Sequence, residues 1–360
     1  DAGVNAFTLA VMIAALVEGA RFLAQEERGF ALMLADGWNA RIEDWTWVEG
    51  GALAERLGVG GYYLRIAPAD VLTGESAKAE DVPIKNRSYD NHLTAEDQIA
   101  TDFLQLVRYG LRRADDPKIA ESVRAMDKLL RTDTPSGPVW HRYNNDGYGE
   151  HRDGQPFDGT GHGRGWPLLV GERGHYAIAA GEDPLPYLEA MTAMAGPGGM
   201  IPEQVWDSDP MPDRGLYPGR PSGSAMPLVW AHAEFIKLAL SRQKGIPCDR
   251  PPHVWERYEG KRPIVDWRLW ALNCRPRSIP SGQTLRIMLP AAATIHWGVD
   301  GWQNIRDVDT HAPVLGLHLA DIATGGLLPG SSVEFTFHWH ESGNWQGEDY
   351  HIGIVDAPAG

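Results

Sequence analysis

Apolar residues recur every three to four positions over most of the chain and alternate in its last third, so a helical region precedes a sheet-forming one. Phe7, Val11, Ala14 and Ala15 follow Asn5, a residue type that accepts the free N–H groups at a helix start. A second apolar face runs over about 30–45, and together the two predict a helical hairpin. GVGGYYLRIAP holds a strand-like Tyr62-Tyr63-Leu64 run, and the polar segment 67–91 predicts an excursion loop. Residues 94–114 and 116–132 each start acidic and end basic, as the helix macrodipole favours, with a stop and restart at Asp115-Asp116-Pro117. Helical patterns return at 172–181, 183–195 and 224–243, giving roughly seven helices in a file of hairpins. After Cys248 the period becomes two: DWRLWALN, TLRIMLP, ATIHWGVD, VEFTFHWH and YHIGIVD predict strands between Gly and Pro turns. The expected division is a helical part over 1–246 and a small β-sandwich-like module over 247–360.

Composition narrows the function. The chain has 360 residues, 43% of them hydrophobic, enough for a sizeable core, and a formal charge of −15 that argues against a phosphate-backbone binder. Nucleic acid is therefore not an expected partner. Fourteen Trp and 11 Tyr supply flat apolar faces with hydrogen-bonding edges, the kind of surface that stacks on sugar rings, although core packing accounts for many of them. Cys248 and Cys274 match no zinc spacing, and a disulfide between them is possible but not required. His162 and His175 lack metal-ligand spacing as well, so no metal and no cofactor are expected. Glu18 and Arg21 interrupt the first apolar stretch, which has no basic region before it; a soluble chain with no membrane partner is expected. The opening on Asp1, directly before a helix, predicts that something upstream has been removed.

Between 134 and 171 the helical period disappears and Gly, Asn, Asp, Tyr and Trp dominate, more irregular chain than a connection needs and the usual mark of a site. This stretch and the next loop hold RYNNDGYGE (142–150), GRGWPLLVGERGHY (163–176) and GMIPEQVWD (199–207). In these motifs, in this order, the chain resembles the bacterial glucoamylases and glucodextranases, the family 15 glycoside hydrolases with an (α/α)6 barrel. The resemblance covers the helical part. It implies a mainly α fold, here a partial (α/α)6 barrel of hairpins followed by the β module. It also implies an inverting exo-hydrolase that takes glucose from the non-reducing ends of α-glucans, with two carboxylates about 6.5–9.5 Å apart around a water. Glu203 matches the family's general base; Gly198 and Gly199 let the chain turn ahead of it, Pro202 stiffens its approach, and Gln204 and Trp206 frame the pocket. Arg142 matches the arginine that holds the terminal glucose, Trp166 an aromatic of the same pocket, and Trp230 one near the next subsite. Each position has a plainer reading: a helix cap for Glu203, an ion pair with Asp146 or Glu150 for Arg142, core packing for the tryptophans. Glu172 and Arg173 read as a supporting pair or as ordinary polar residues of a helix's first turn.

The departures from the family pattern carry their own expectations. The general acid of these enzymes lies in a Trp-Glu-Glu motif just ahead of the helix that begins here near Asn5, and this chain does not contain it. Roughly seven of the barrel's twelve helices are legible. The resemblance therefore implies an N-terminal companion fragment that carries the acid, near-inactivity of the chain alone, and, as the alternative function, a non-catalytic glucan-binding or regulatory fragment. Glu43 and Glu49, flanking WTW, have aromatic company but no role in the family's arrangement. In the β module, Trp297, Trp302, Trp339 and Trp345 offer either a starch-binding surface or a packing appendage, and strand aromatics usually face a core. Secretion or a periplasmic location is the expected setting. The three motifs are common to α-1,4-, α-1,6- and trehalose-cleaving members, so linkage preference is set outside them.

Overall fold

Asn5 starts the first helix as its position predicts: its Oδ1 accepts the Thr8 N–H at 3.0 Å, and α1 runs Ala6–Ala20. The computed structural model describes residues 2–74, 77–87 and 92–357, except the side chains of 312–314, so Asp1 and parts of the expected 67–91 excursion lie outside the described residues. The second predicted helix is two, α2 (Gln25–Asn39) and the short α3 (Ile42–Thr46), parted at Ala40 and Arg41. Among the described residues no helix is long and apolar enough to cross a membrane. Contacts divide the chain into two units: Asp1–Ala14, Ile42–Pro68 and Lys78–Arg262 form one, and Ala15–Arg41, Ala69–Ala77 and Pro263–Gly360 the other.

The first unit is mainly helical. Strands β1 (Trp47–Glu49) and β2 (Gly61–Tyr63) pair antiparallel around α4 (Ala52–Leu57). Then come α5 (Leu104–Arg108), α6 (Pro117–Leu129) and a hairpin of β3 (Arg131–Thr134) and β4 (Gly137–Trp140). After the long irregular stretch follow α7 (Pro167–Ala179), α8 (Leu185–Met194), α9 (Val229–Lys244) and α10 (Pro252–Tyr258). The start of α6 is where the sequence places it, with Asp116 Oδ1 accepting the Lys118 N–H at 2.9 Å and Pro117 in the first turn. Helix α7 is the packing centre, against α5, α8 and α9. Its Gly171 and Gly174 let α9 close in, since a Cβ there would lie 2.6 Å from Glu234 Cγ and 2.7 Å from a Leu238 methyl.

The predicted helix over 94–114 does not form. Only a 3₁₀ turn, Ala95–Asp97, and α5 are helical. Gln98 between them is fully buried; its Nε2 donates to the carbonyls of Val82 at 2.7 Å and Leu93 at 2.9 Å, while its Oε1 accepts Arg65 Nε at 2.7 Å. Ile99 N–H donates to Asn144 Oδ1 at 2.7 Å. Partners distant in sequence, Arg65, Val82 and Asn144, thus help hold residues 98–99 out of the helix that local propensity favours.

The second unit contains the expected sandwich. Its strands are β5 (Trp267–Ala271), β6 (Ser278–Pro280), β7 (Thr284–Leu289), β8 (Ala293–Val299), β9 (Gln303–Asp309), β10 (His311–Val314), β11 (Leu317–Ile322), β12 (Ser332–Trp339) and β13 (Tyr350–Val355). They form a four-stranded sheet, β10-β11-β7-β5, and a five-stranded sheet, β6-β13-β12-β8-β9. Alternation puts Trp270, Ile287, Ile295, Trp297, Phe335 and Phe337 into a shared core. Helix α2 belongs with this unit, not with the helical part: Phe30, Met33 and Leu34 pack on Leu269, Met288, Leu317 and Leu319. The four-stranded sheet is apolar on its outer side too, and that face needs cover.

Candidate active site

The two loop motifs that point to chemistry are joined backbone to backbone. Val205 N–H donates to Gly165 O at 2.9 Å, and Gly165 N–H donates to Asp207 Oδ2 at 2.9 Å. Arg164, fully buried, clamps the same junction: it donates to Asp207 Oδ1 at 3.0 Å and Ser208 Oγ at 2.8 Å, and to the carbonyls of Glu150 and His151 at 2.8 Å each. Its guanidinium lies 3.9 Å from the centre of the buried Trp206 ring.

Upon this frame sits Glu203, half-buried, its N–H bonded to Ala225 O at 2.8 Å. Tyr148 donates its hydroxyl to the Glu203 carboxylate, with the two oxygens at 3.2 and 3.4 Å. Burial first, and then the Glu203 charge, raise the Tyr148 hydroxyl above its ordinary range, so it stays a donor to that carboxylate. The Tyr148 ring meets Phe157 edge-on at 5.0 Å and tilts over Trp166 at 6.1 Å. Tyr148 stands in a tight knot: a Cβ on the neighbouring Gly147 would lie 1.9 Å from Asn86 O.

Arg142 is fixed as a fork. Asp146, nearly fully buried, takes its Nε at 2.7 Å and its Nη2 at 2.8 Å, and also accepts the Tyr148 N–H at 3.0 Å. The guanidinium lies 4.9 Å from the Tyr148 ring and 5.1 Å from the Trp166 ring, and Nη1 has no protein partner among the described residues. The ion pair with Asp146 read from the sequence is therefore present, and it orients the side chain; Glu150 instead accepts the Gly223 N–H at 2.5 Å.

A cavity of about 450 Å³ is lined by Arg142, Tyr143, Trp166, Trp230, Asp102 and Glu172, among others. Trp166 caps the start of α7, its N–H bound to Trp140 O at 2.9 Å, and its buried indole N–H has no partner among the described residues. Trp230, on the first turn of α9, is 55% exposed, so it is not a core residue. Glu203 and Gln204 are not among the cavity's lining residues. Gln204 is 1% exposed and its Nε2 donates to Tyr148 O at 2.8 Å, which makes it a brace behind Tyr148.

Other carboxylates are otherwise engaged. Burial works to raise the Glu43 carboxyl, yet the bidentate Arg112 at 2.7 and 2.8 Å and the Tyr63 hydroxyl at 2.8 Å bring it below the usual range. Glu49 is exposed. Glu172 and Arg173 do not pair: adjacent on α7, they point apart, Arg173 to Asp127 at 3.1 Å and Glu172 into the cavity wall. Burial, then the Glu234 charge, push the Glu172 carboxyl up to about 8. Asp102 beside it is raised by burial, against an Asn5 hydrogen bond of 2.7 Å. Burial, then the Arg164 charge, lower His162. His175, Cys248 and Asp249 offer donor atoms within 4.8 Å of one another, but Arg108 and Lys237 already neutralise Asp249, at 2.8 and 2.5 Å. Both cysteines are free. Tyr148 and Arg164 are the residues of this cluster that sequence reasoning passed over; both lie inside the quoted motifs, and their partners lie far along the chain.

Comparison with known proteins comes down on the same stretch. The profile of glycosyl hydrolases family 15 matches residues 1–240. A glucoamylase of Clostridium sp. (strain G0005) is 39% identical over 264 residues, 72% of this chain and 35% of that protein. A cycloisomaltooligosaccharide glucanotransferase of Niallia circulans is 24% identical over 97 residues, 24% of this chain and 10% of that protein. The crystal structure of a bacterial glucoamylase complexed with acarbose superposes with a TM-score of 0.63 at 38% identity, over 71% of this chain and 36% of that one. The chain thus spans about a third of the length of the glucoamylases it matches.

Proposed function

The chain belongs to glycosyl hydrolases family 15, and from there we propose that it carries the base side of an inverting, exo-acting α-glucoside hydrolase that releases β-glucose from non-reducing ends of α-glucans. Glu203 takes a proton from the attacking water, and the Tyr148 hydroxyl keeps its carboxylate oriented. Arg142, its fork set by Asp146, offers the open Nη1 to hydroxyls of the terminal glucose, with Trp166 as wall and Trp230 at the exposed side. Gln204 acts through Tyr148 as a positioning residue. The general acid comes from residues outside this sequence, in a companion segment; in support, Glu43 and Glu150 are each committed to partners within the fold and Glu172 is buried beside Glu234. The observation that carries the reading is the Tyr148 hydroxyl, which ties the Glu203 carboxylate of one loop to the arginine–aromatic cluster of the other.

The test uses the enzyme with its upstream region present. Glu203→Gln keeps shape and should lower turnover about 10²- to 10⁴-fold with sugar binding retained. Proton NMR of the first product should show β-glucose. Near-normal turnover of the variant, or α-glucose as first product, would sink the assignment. Without the upstream region the chain should release little glucose and gain activity on mixing with it; release by the chain alone would place the acid among its own carboxylates. Comparison of maltotriose, isomaltotriose and trehalose as substrates then sets the linkage.

A further inference from the structure

Glu172 enters the interior on α7 with no cation of its own, because the arginine that reaches it is already taken. Arg108 grips Glu234 with Nη1 at 2.8 Å and Nη2 at 3.1 Å, and Asp249 with Nε at 3.0 Å and Nη2 at 2.8 Å. His175 Nδ1 adds a contact to Glu234 at 2.8 Å, and Lys237 one to Asp249 at 2.5 Å. Burial works to raise these two carboxyls, yet their partners hold both below the usual range.

Glu172 and Asp102 receive no such partner: neither is in an ion pair among the described residues, and Asp102 has only the Asn5 amide, at 2.7 Å. Glu172 is 9% exposed. The titratable groups about it are Glu234 on α9, Arg108 and Tyr109 at the end of α5, Asp102 ahead of α5, and His175 on its own helix. Burial, then the charge of Glu234, hold its proton on up to about 8, with Arg108 pulling the other way. An interior carboxyl without a cation is costly to bury in its charged form, and here two of them line one cavity of about 450 Å³, together with Asn5 and Gln105. The buried Trp166 indole N–H, on the wall of the same cavity, has no partner among the described residues either. The space is thus lined for a polar occupant, and its acids ask for a positive one.

We propose that this cavity receives a basic side chain from the upstream segment of the complete enzyme, and that this cation pairs with Glu172 beside Asp102. The inference deepens the function proposed above and rests on the companion segment named there. Arg108 displays the form such a contact takes in this fold, one guanidinium bridging two buried carboxylates. Asn5, Phe7 and Thr8 of α1 line the same cavity, so residues joined ahead of α1 in the complete enzyme enter beside it. A sugar is a poorer occupant for the acids, since its hydroxyls carry no charge and leave Glu172 protonated. Buried charge pairs serve register more than stability. This one fixes where the upstream segment, with the general acid it carries, comes to rest against Glu203.

Infrared difference spectra, parent minus Glu172→Gln, read the charge of this one carboxyl, because the C=O stretch of a protonated acid stands clear of the carboxylate and amide bands. In this chain the acid band should be present at about pH 6 and fade with a midpoint near 8. In the complete enzyme, free of sugar, it should be missing at about pH 6 and appear only below about pH 5. Melting supplies a second readout. At about pH 6 Glu172→Gln should leave the chain unchanged, an amide replacing a neutral acid, and should lower the melting temperature of the complete enzyme by about 5 °C or more, because a buried cation loses its partner. A protonated Glu172 in the sugar-free complete enzyme, or a melting shift equal in the two proteins, overturns the proposal. So does a Glu172 that becomes charged only when glucose is added, which makes the sugar the occupant, or one that regains its proton on treatment with EDTA, which makes a metal ion the occupant. Full activity of the chain without upstream residues removes the companion segment, and both readings fall with it; Glu203→Gln bears on the base alone.

Discussion

In the proposed mechanism the Tyr148 hydroxyl orients the base, Glu203. Tyr148→Phe keeps the ring against Phe157 and Trp166 and removes only the donor to Glu203. In the catalytically complete enzyme kcat should fall about tenfold with KM nearly unchanged, the worth of one hydrogen bond to a charge. A matching rise in KM would instead make the residue part of ground-state sugar binding. Arg142→Ala strips Asp146 of its partner and, in the proposed site, the sugar of a donor, so kcat/KM and thermal stability should fall together, the latter by about 1–3 kcal/mol. Arg142→Ala combined with Asp146→Ala should recover much of the stability and none of the activity; thermal melts beside kinetics check this. The resemblance of the three motifs to family 15 singled out Glu203, Arg142 and Trp166, which residue type and spacing alone left open. Tyr148 escaped because its partner lies 55 residues away, and no local pattern announces such a bond. Gln204, read as a pocket residue, turns inward, since the residue beside a site along the chain need not face it.

Helix α7 concentrates the consequences at the next scale. Gly171→Ala would drive a methyl into Glu234 Cγ and should cost about 1–3 kcal/mol, measured by urea unfolding; an unchanged midpoint would mean that α9 shifts freely. Glu172 makes the same helix sensitive to pH. Its ordinary value is 4.5 and its folded value about 8, raised by burial and then by Glu234. The stabilisation tied to its proton is therefore whole below pH 4.5 and is lost as pH climbs toward 8, by up to about 1.4 kcal/mol per pH unit. Glu172→Gln should flatten that decline, and melting temperatures at pH 5 and pH 8 would show parent and variant drawing apart at the higher pH. Parallel curves would refute it. The elements with local punctuation were legible, as Asn5 before α1 and Asp116-Pro117 before α6 show. The segment 94–114 was not, because Gln98 finds partners at Val82 and Arg65, beyond the reach of helical periodicity.

Across the whole molecule, the charge of −15 sets another expectation. A neutral polymer releases no counterions, so the KM of the complete enzyme for soluble starch should change less than about twofold between 50 and 500 mM salt, whereas a steep rise would point to a charged ligand. The two-part composition of the chain was legible from the change of period near Cys248, but the units were not, since α2 carries an ordinary amphipathic pattern and nothing in it says that its partner is a sheet. The site, too, is assembled across distance. Arg164 grips the carbonyls of Glu150 and His151 with one nitrogen and Asp207 and Ser208 with the other. Two loops that enter the fold separately are thereby made to leave it together. In deuterated solvent the amides of Gly165 and Val205 should keep their protons until that one guanidinium lets go, and then exchange in a single opening, at one rate.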